Sequence, residues 1–139
     1  MNNFELGDRL LGEAEEYYEE MLRAYERRSW NVVVRRAQEV VELSLKGLIK
    51  MMGIEYPREH DVGGVFEGVC REKGIEIEIE TLDQIKRTSS RLARERVPAF
   101  YMEELYNEEQ ARRSKGRSGA SPGNGKRTEE QMKGLVETI

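Results

Sequence analysis

Residues 30–50 read WNVVVRRAQEVVELSLKGLIK, and this stretch decides the fold. Its apolar residues recur three and four positions apart, which is the period of one face of an α-helix. Ser29 before it is a suitable N-cap, and Gly53 followed by Pro57 suits a helix end. The pattern predicts a long helix from about residue 30 to Gly53, whose apolar stripe is Trp30, Val33, Val34, Ala37, Val40, Val41, Leu45, Leu48 and Met52.

The neighbouring segments predict further helices. Leu10 to Tyr25 has the same apolar spacing, with glutamates on the opposite face. Asp61 is a candidate N-cap for a short third helix, and Thr81-x-x-Gln84 is a capping-box pattern that opens a fourth. The fourth helix should stop before Pro98, and a fifth should begin near that proline. The chain is therefore predicted to be all-α, an antiparallel up-and-down bundle of four to five main helices.

Composition divides the chain into three segments. Residues 1–112 carry the helical patterns and predict one bundle. Residues 113–127 contain eight Gly, Ser or Pro residues, five Lys or Arg and no acid, which predicts a flexible basic linker. A second capping-box pattern, Thr128-x-x-Gln131, predicts a short helix over residues 128–139.

Counting excludes several classes of function. The 139 residues include 23 Lys and Arg against 27 Asp and Glu, for a net charge of −4. No apolar run reaches the roughly 18 residues of a membrane span, and the first residues do not resemble a signal peptide, so we expect a cytoplasmic protein with no membrane contact. Cys70 and His60 are the sole Cys and His, too few for a disulfide or a four-ligand zinc site. We expect no metal and no cofactor.

The stretch at residues 30–50, followed by YPREHDVG at residues 56–63, resembles the HEPN family (higher eukaryotes and prokaryotes nucleotide-binding domain). The resemblance covers residues 4–112. It implies an antiparallel helical bundle, usually a homodimer and often prokaryotic. It also implies a gene often encoded beside a minimal nucleotidyltransferase, as one half of a toxin–antitoxin-like pair.

The ribonucleases of that family carry an Arg followed, after four to six residues, by a His. Here Arg96 is followed after four residues by Tyr101, and no His follows His60. Tyrosine, with an ordinary pKa near 10, is a poor general base at neutral pH. We therefore expect no catalysis. Arg96 could still hold a phosphate, and Tyr101 could stack on a base.

Alternating helices would bring the loop with His60 to the same end of the bundle as Arg96 and Tyr101. Arg58 and Arg94 would lie nearby, so these five residues form the predicted nucleotide, RNA or partner site. The alternative is that His60 merely fixes its loop. Cations on the second helix (Arg35, Arg36, Lys46 and Lys50) and on the fourth (Arg87, Arg91, Arg94 and Arg96) are either solvated faces or phosphate-binding stripes.

Homodimerisation through the first two helices is expected from Trp30, from Tyr17, Tyr18 and Tyr25, and from Leu43 and Ile49 beyond the main stripe. The predicted function is a non-catalytic module that binds nucleotide or RNA phosphates, or a nucleotidyltransferase partner. One alternative is a metal-independent ribonuclease toxin that acts as a homodimer through His60 and Arg96. Another is a plain interaction or scaffold protein.

Overall fold

The structure is a computed structural model that describes residues 1–116. It contains helices α1 (Asn3–Glu26), α2 (Trp30–Met51), α3 (Gly63–Glu72), α4 (Ile79–Phe100) and α5 (Glu108–Lys115) in this range. No strand occurs within residues 1–116. The predicted all-α bundle is confirmed. The predicted helix over residues 128–139 and most of the predicted linker lie outside the described residues, and residues 113–115 belong to α5.

Helices α1 and α2 form an antiparallel pair whose backbones touch. A Cβ atom on Gly7 would stand 2.5 Å from the carbonyl oxygen of Gly47, and one on Gly47 would stand 2.9 Å from the carbonyl oxygen of Gly7. Real Cβ atoms do not approach that closely, so both positions require glycine. Farther along the pair, Arg36 Nε lies 3.1 Å from Glu20 Oε2 and links the two helices.

The core is assembled on α2. Its buried side chains pack against α1, α3 and α4, and the largest fully buried residues include Leu11, Met21, Leu45, Leu48, Ile49, Phe66, Ile85 and Leu92. Tyr18 is buried, and Tyr25 meets Trp30 edge-to-face at 5.4 Å between ring centroids. Ile49, which the sequence placed beyond the main stripe, is fully buried within this chain. It therefore offers nothing to a dimer interface.

Helix α4 runs antiparallel to α2 and does not stop before Pro98, contrary to the sequence-based prediction. It continues to Phe100, and Asn31 on α2 anchors its end. The Asn31 amide nitrogen donates to the carbonyl of Ala99 (3.2 Å) and to that of Glu104 (2.7 Å). Its oxygen accepts from the backbone N–H of Tyr106 (3.0 Å). The Ala99 carbonyl is among the last carbonyls of α4, which have no partner within the helix, so these bonds fix the end of α4 and the following loop to α2.

Three predictions about where helices begin are also wrong. The fourth helix begins at Ile79 rather than at the Thr81 capping box, and the fifth begins at Glu108 rather than near Pro98. Asp61 does not cap α3 either. It accepts a hydrogen bond from Ser89 Oγ at 3.0 Å, and Ser89 in turn accepts from the backbone N–H of Val62 at 3.1 Å. A contact with α4 therefore replaces the local cap.

Candidate functional site

The loop after α2 turns back and runs along α2 instead of leaving it. Gly53 makes the turn possible, since its φ of +83° lies in the left-handed region that glycine adopts without strain. Glu55 then pairs with Lys50, and the Tyr56 ring lies 5.4 Å from Lys46 Nζ. The loop consequently covers the last turns of α2.

This return path brings His60 to Glu42, in the middle of α2. The distance from His60 Nδ1 to Glu42 Oε1 is 2.7 Å. Lys46 Nζ donates to Glu42 Oε2 at 2.9 Å, and Gln38 Nε2 donates to Glu42 Oε1 at 2.7 Å. Glu42 is thus the acceptor at which a loop and two further side chains of α2 converge.

The network continues from α2 to α4 through Gln38. Arg96 Nη1 donates to Gln38 Oε1 at 2.8 Å, so His60, Glu42, Gln38 and Arg96 form one continuous chain of hydrogen bonds. Gln38 is 1% exposed, and its amide is oriented by a donor on one side and an acceptor on the other. We call this chain the Glu42 network.

Hydrogen bonds keep Glu42 ionised. Burial on its own raises the pKa of this carboxyl, but the hydrogen bonds from Lys46, Gln38 and His60 and the charge of Lys46 outweigh burial and lower the pKa below its ordinary value. The Glu42 carboxylate therefore acts as a fixed negative charge that orients His60. The imidazole itself is about half exposed, with 52% of its side-chain surface accessible.

A groove of about 340 Å³ opens on the other side of Arg96, between the N-terminal half of α2 and the end of α4. We call it the Arg96 groove. It is lined by Arg35, Gln38, Glu39, Arg96, Val97, Phe100 and Tyr101. Tyr101 is 68% exposed and meets Phe100 edge-to-face at 4.9 Å between ring centroids. The groove thus combines guanidinium groups with aromatic rings open to solvent.

Two of the groove's positive charges are left without an ionic partner among residues 1–116. Arg96 is held by the neutral Gln38 amide, and Arg35 lies 4.4 Å over the centroid of the Phe100 ring. The neighbouring Arg36 contrasts with them, because it binds both Glu20 and Glu39. The lining itself carries two guanidinium groups against the single carboxylate of Glu39, so the groove keeps a net attraction for an anion.

The structure brings together some of the five predicted site residues and separates others. Arg96 and Tyr101 line the same groove, and His60 reaches Arg96 through the Glu42 network without lining the groove. Arg94 is two positions before Arg96, which places it about 200° away around α4. It bonds Ser90 Oγ at 3.2 Å on that opposite face. Arg58 is exposed and makes no ion pair with a described residue.

The sequence reasoning missed Gln38, which lines the groove, and Glu42, which is hydrogen-bonded to Gln38, whereas it named Arg35 only as part of a possible phosphate-binding stripe. Arg35, Gln38 and Glu42 are spaced three and four residues apart, so a single polar line runs along α2 beside its apolar stripe. That spacing was visible in the sequence. The spacing could not indicate that Arg96 of α4 would contact this polar line of α2.

Comparison with known protein families identifies the domain. A family model described as the HEPN domain matches residues 8–118, which is most of the chain. The protein belongs to the HEPN family. HEPN domains form a nucleotide-binding and ribonuclease-like family, and they often dimerise. No curated protein and no solved structure matched the chain.

Two other features of this HEPN domain bear on its chemistry. Within residues 1–116, no group of three or more His, Cys, Asp or Glu side chains is arranged to hold a metal ion. In the same part of the chain, no helix is long and apolar enough to cross a membrane.

Proposed function

We propose that this HEPN domain is a non-catalytic module that binds the phosphate of a nucleotide or of RNA in the Arg96 groove. The observation that carries the proposal is the pairing of two unneutralised guanidinium groups, Arg35 and Arg96, with the exposed ring of Tyr101. Guanidinium forks suit phosphate oxygens, and an exposed aromatic face suits a nucleobase. The volume, about 340 Å³, lies within the range of small-ligand sites.

The hydrogen bond between Arg96 and the Gln38 amide supports binding rather than catalysis. A neutral amide fixes the guanidinium without cancelling its charge, so the arginine is positioned before a ligand arrives. By its spacing from Arg96, Tyr101 corresponds to the histidine that the resemblance to the family's ribonucleases implies, and a phenol is a poor proton acceptor at neutral pH. His60 lies beyond Gln38 and Glu42, outside the groove lining.

We further propose that the domain acts as a homodimer and with a minimal nucleotidyltransferase, as one half of a prokaryotic toxin–antitoxin-like pair. An exposed apolar surface that overlaps the rim of the groove supports a protein partner. Its members, all between α4 and α5 or in the last turn of α4, are Val97, Phe100, Tyr101, Met102 and Leu105. Light scattering at micromolar concentration distinguishes a dimer from a 16.1 kDa monomer.

The binding proposal is tested by titrating ATP and a short oligoadenylate into the protein by calorimetry. Arg96→Ala should weaken binding by about 1–3 kcal/mol, the contribution of a hydrogen bond with a charged donor. Because that change also removes the partner of Gln38, Arg35→Ala provides a second variant with no such bond to lose. Arg23→Ala, an exposed arginine on α1, is the matched control and should bind as the wild type does.

The same preparation tests the ribonuclease alternative. The Glu42–His60 pair is the observation that favours it, because a carboxylate that orients an imidazole is a common arrangement of a general base. Metal-free wild type should leave a generic RNA intact. Cleavage that disappears in His60→Ala would contradict the non-catalytic assignment, and equal ligand affinity in wild type and Arg35→Ala would contradict the binding site.

A further inference from the structure

A second groove, of about 610 Å³, runs along the outer side of α4 and is lined by five cations. We call it the Arg87 groove. The cations are Lys86, Arg87, Arg91 and Arg94 on α4, and Arg113 on α5. It contains none of the residues that line the Arg96 groove. No acidic residue of the described chain contributes to its lining.

Helix geometry explains how the cations meet. Arg87, Arg91 and Arg94 are spaced four and three residues apart, so they form a straight row on one face of α4, about 10 Å long. Arg91 reaches across to α5 and donates from Nη1 to Ser114 Oγ at 3.2 Å, which brings Arg113 to the same groove. The row is therefore a feature of the folded chain and not only of the α4 sequence.

Most of this positive charge is not neutralised. Lys86 pairs with Glu67 at 3.4 Å, and Arg91 pairs with Glu95 at 3.2 Å. Arg87, Arg94 and Arg113 make no ion pair within residues 1–116. Burial first, and then repulsion from Arg113 and Arg94, lower the pKa of Arg91 in spite of Glu95. Three crowded guanidinium groups thus lack a counterion in a protein whose net charge is −4.

The side chains that line the Arg87 groove indicate whether it suits a nucleic acid or an acidic protein. The other lining residues are Gln84, Thr88 and Ser90, so every described side chain that lines the groove carries a polar or charged group. Protein partners usually bury a centre of apolar or aromatic residues, and among residues 1–116 no such residue lines this groove. Arg, Lys, Ser, Thr and Gln are the residues that contact the phosphates of nucleic acids. The absence of an aromatic ring from the lining means that bases would not stack here.

We propose that the Arg87 groove binds the phosphodiester backbone of a nucleic-acid strand, without reading its sequence. The contacts would come from Arg87, Arg94 and Arg113, whose guanidinium groups replace counterions of the strand. The proposal is independent of nucleotide binding in the Arg96 groove, since the two linings share no residue.

The test is a triple variant, Arg87→Gln, Arg94→Gln and Arg113→Gln, in the full chain. All three residues are exposed and have no ion pair to lose, so the fold should be retained. The matched control is Arg9→Gln, Arg23→Gln and Lys73→Gln, which removes the same charge from exposed positions elsewhere. Fluorescence anisotropy with a labelled single-stranded oligouridylate measures affinity at several salt concentrations.

Three phosphate contacts to a single strand steepen the plot of log K against log salt by about 2, at roughly 0.7 per contact. Between about 50 and 200 mM salt, the wild type should therefore lose roughly twentyfold more affinity than the groove variant. The control should keep the wild-type slope. Titration with an oligothymidylate shows whether the site also accepts DNA. A site that contacts only the phosphodiester backbone should bind both strands equally, whereas a site that needs the 2′-hydroxyl should prefer RNA.

Three results would overturn the proposal. In the first, the wild type does not bind oligouridylate at low salt. In the second, the plot of log K against log salt has the same slope for the groove variant and the wild type. In the third, the wild type binds polyglutamate as tightly as it binds the oligonucleotide. The last would assign the groove to an acidic protein segment instead. Titration of ATP into the groove variant tests the two grooves separately, because the affinity of the Arg96 groove for ATP should not change in that variant.

Discussion

Replacing Gly7 by alanine measures how closely α1 and α2 approach. The added Cβ would stand 2.4 Å from Met51 Cγ, 2.5 Å from the Gly47 carbonyl oxygen and 2.9 Å from the Met51 backbone nitrogen. The Met51 side chain can move aside, but the other two atoms belong to the α2 backbone. The helices must therefore separate, and overpacking of this kind costs about 3 kcal/mol at the upper end of its usual range.

Alanine also favours helix over glycine by about 1 kcal/mol, which leaves a net loss of about 2 kcal/mol for Gly7→Ala. Gly12 provides the control, because it lies in the same helix and its Cβ would meet nothing within 4 Å. Gly12→Ala should gain up to about 1 kcal/mol. The two variants should therefore differ by about 3 kcal/mol.

Urea unfolding followed by far-ultraviolet circular dichroism measures both free energies of unfolding. At roughly 4 °C per kcal/mol for a chain of this size, the melting temperature of Gly7→Ala should fall by about 8 °C. That of Gly12→Ala should rise slightly. If both variants are as stable as the wild type or more so, the close contact of the two helix backbones is refuted.

Three further predictions concern single side chains. Glu42 has a lowered pKa in the folded state, so its ionised form stabilises the fold above about pH 4.5, and this contribution is lost as the pH falls through the lowered pKa. Urea titrations at several pH values should therefore show that Glu42→Gln loses less stability on acidification than the wild type does. Parallel plots of stability against pH for the two proteins would contradict this. Asn31→Ala should lower the free energy of unfolding by about 1–3 kcal/mol, because it removes the hydrogen-bond partner of the Tyr106 N–H and of the Ala99 and Glu104 carbonyls. An unchanged melting temperature would show that these bonds do not hold the end of α4. Cys70 is 1% exposed, and burial raises the pKa of its thiol to about 11, so iodoacetamide should label it far faster in denaturant than in the native state; equal rates would show that the thiol is accessible.

Local patterns predicted the long helices, because a periodic apolar stripe leaves few alternatives. Helix α2 begins at Trp30 and ends one residue before Met52, close to the limits that Ser29 and Gly53 indicate. The error at Pro98 has a different origin. The local rule ends a helix before a proline, whereas the end of α4 is anchored by Asn31, which is far away in the sequence. No local rule contains that information.

The candidate site was predictable only in part, for the same reason. Arg96 and Tyr101 could be identified from their spacing, yet the expectation that they share one end of the bundle with the loop of His60 was wrong. The loop leaves the opposite end of α2 and reaches Glu42 by running back along the helix. Lys46 and Lys50, read as solvated or phosphate-binding, are instead buried beneath that loop.

The Arg96 groove depends on contacts between distant parts of the chain. Gln38 and Arg96 are 58 positions apart, and Asn31 is separated from Ala99 and Glu104 by 68 and 73. By contrast, α1 and α2 are joined by a short turn and can pair locally, before the entropy of closing a long loop is lost. We therefore expect a partly folded species in which α4 has detached to keep that hairpin and to lack the groove. Hydrogen exchange at the α4 amides therefore reports the fraction of molecules competent to bind, whereas exchange within the hairpin does not.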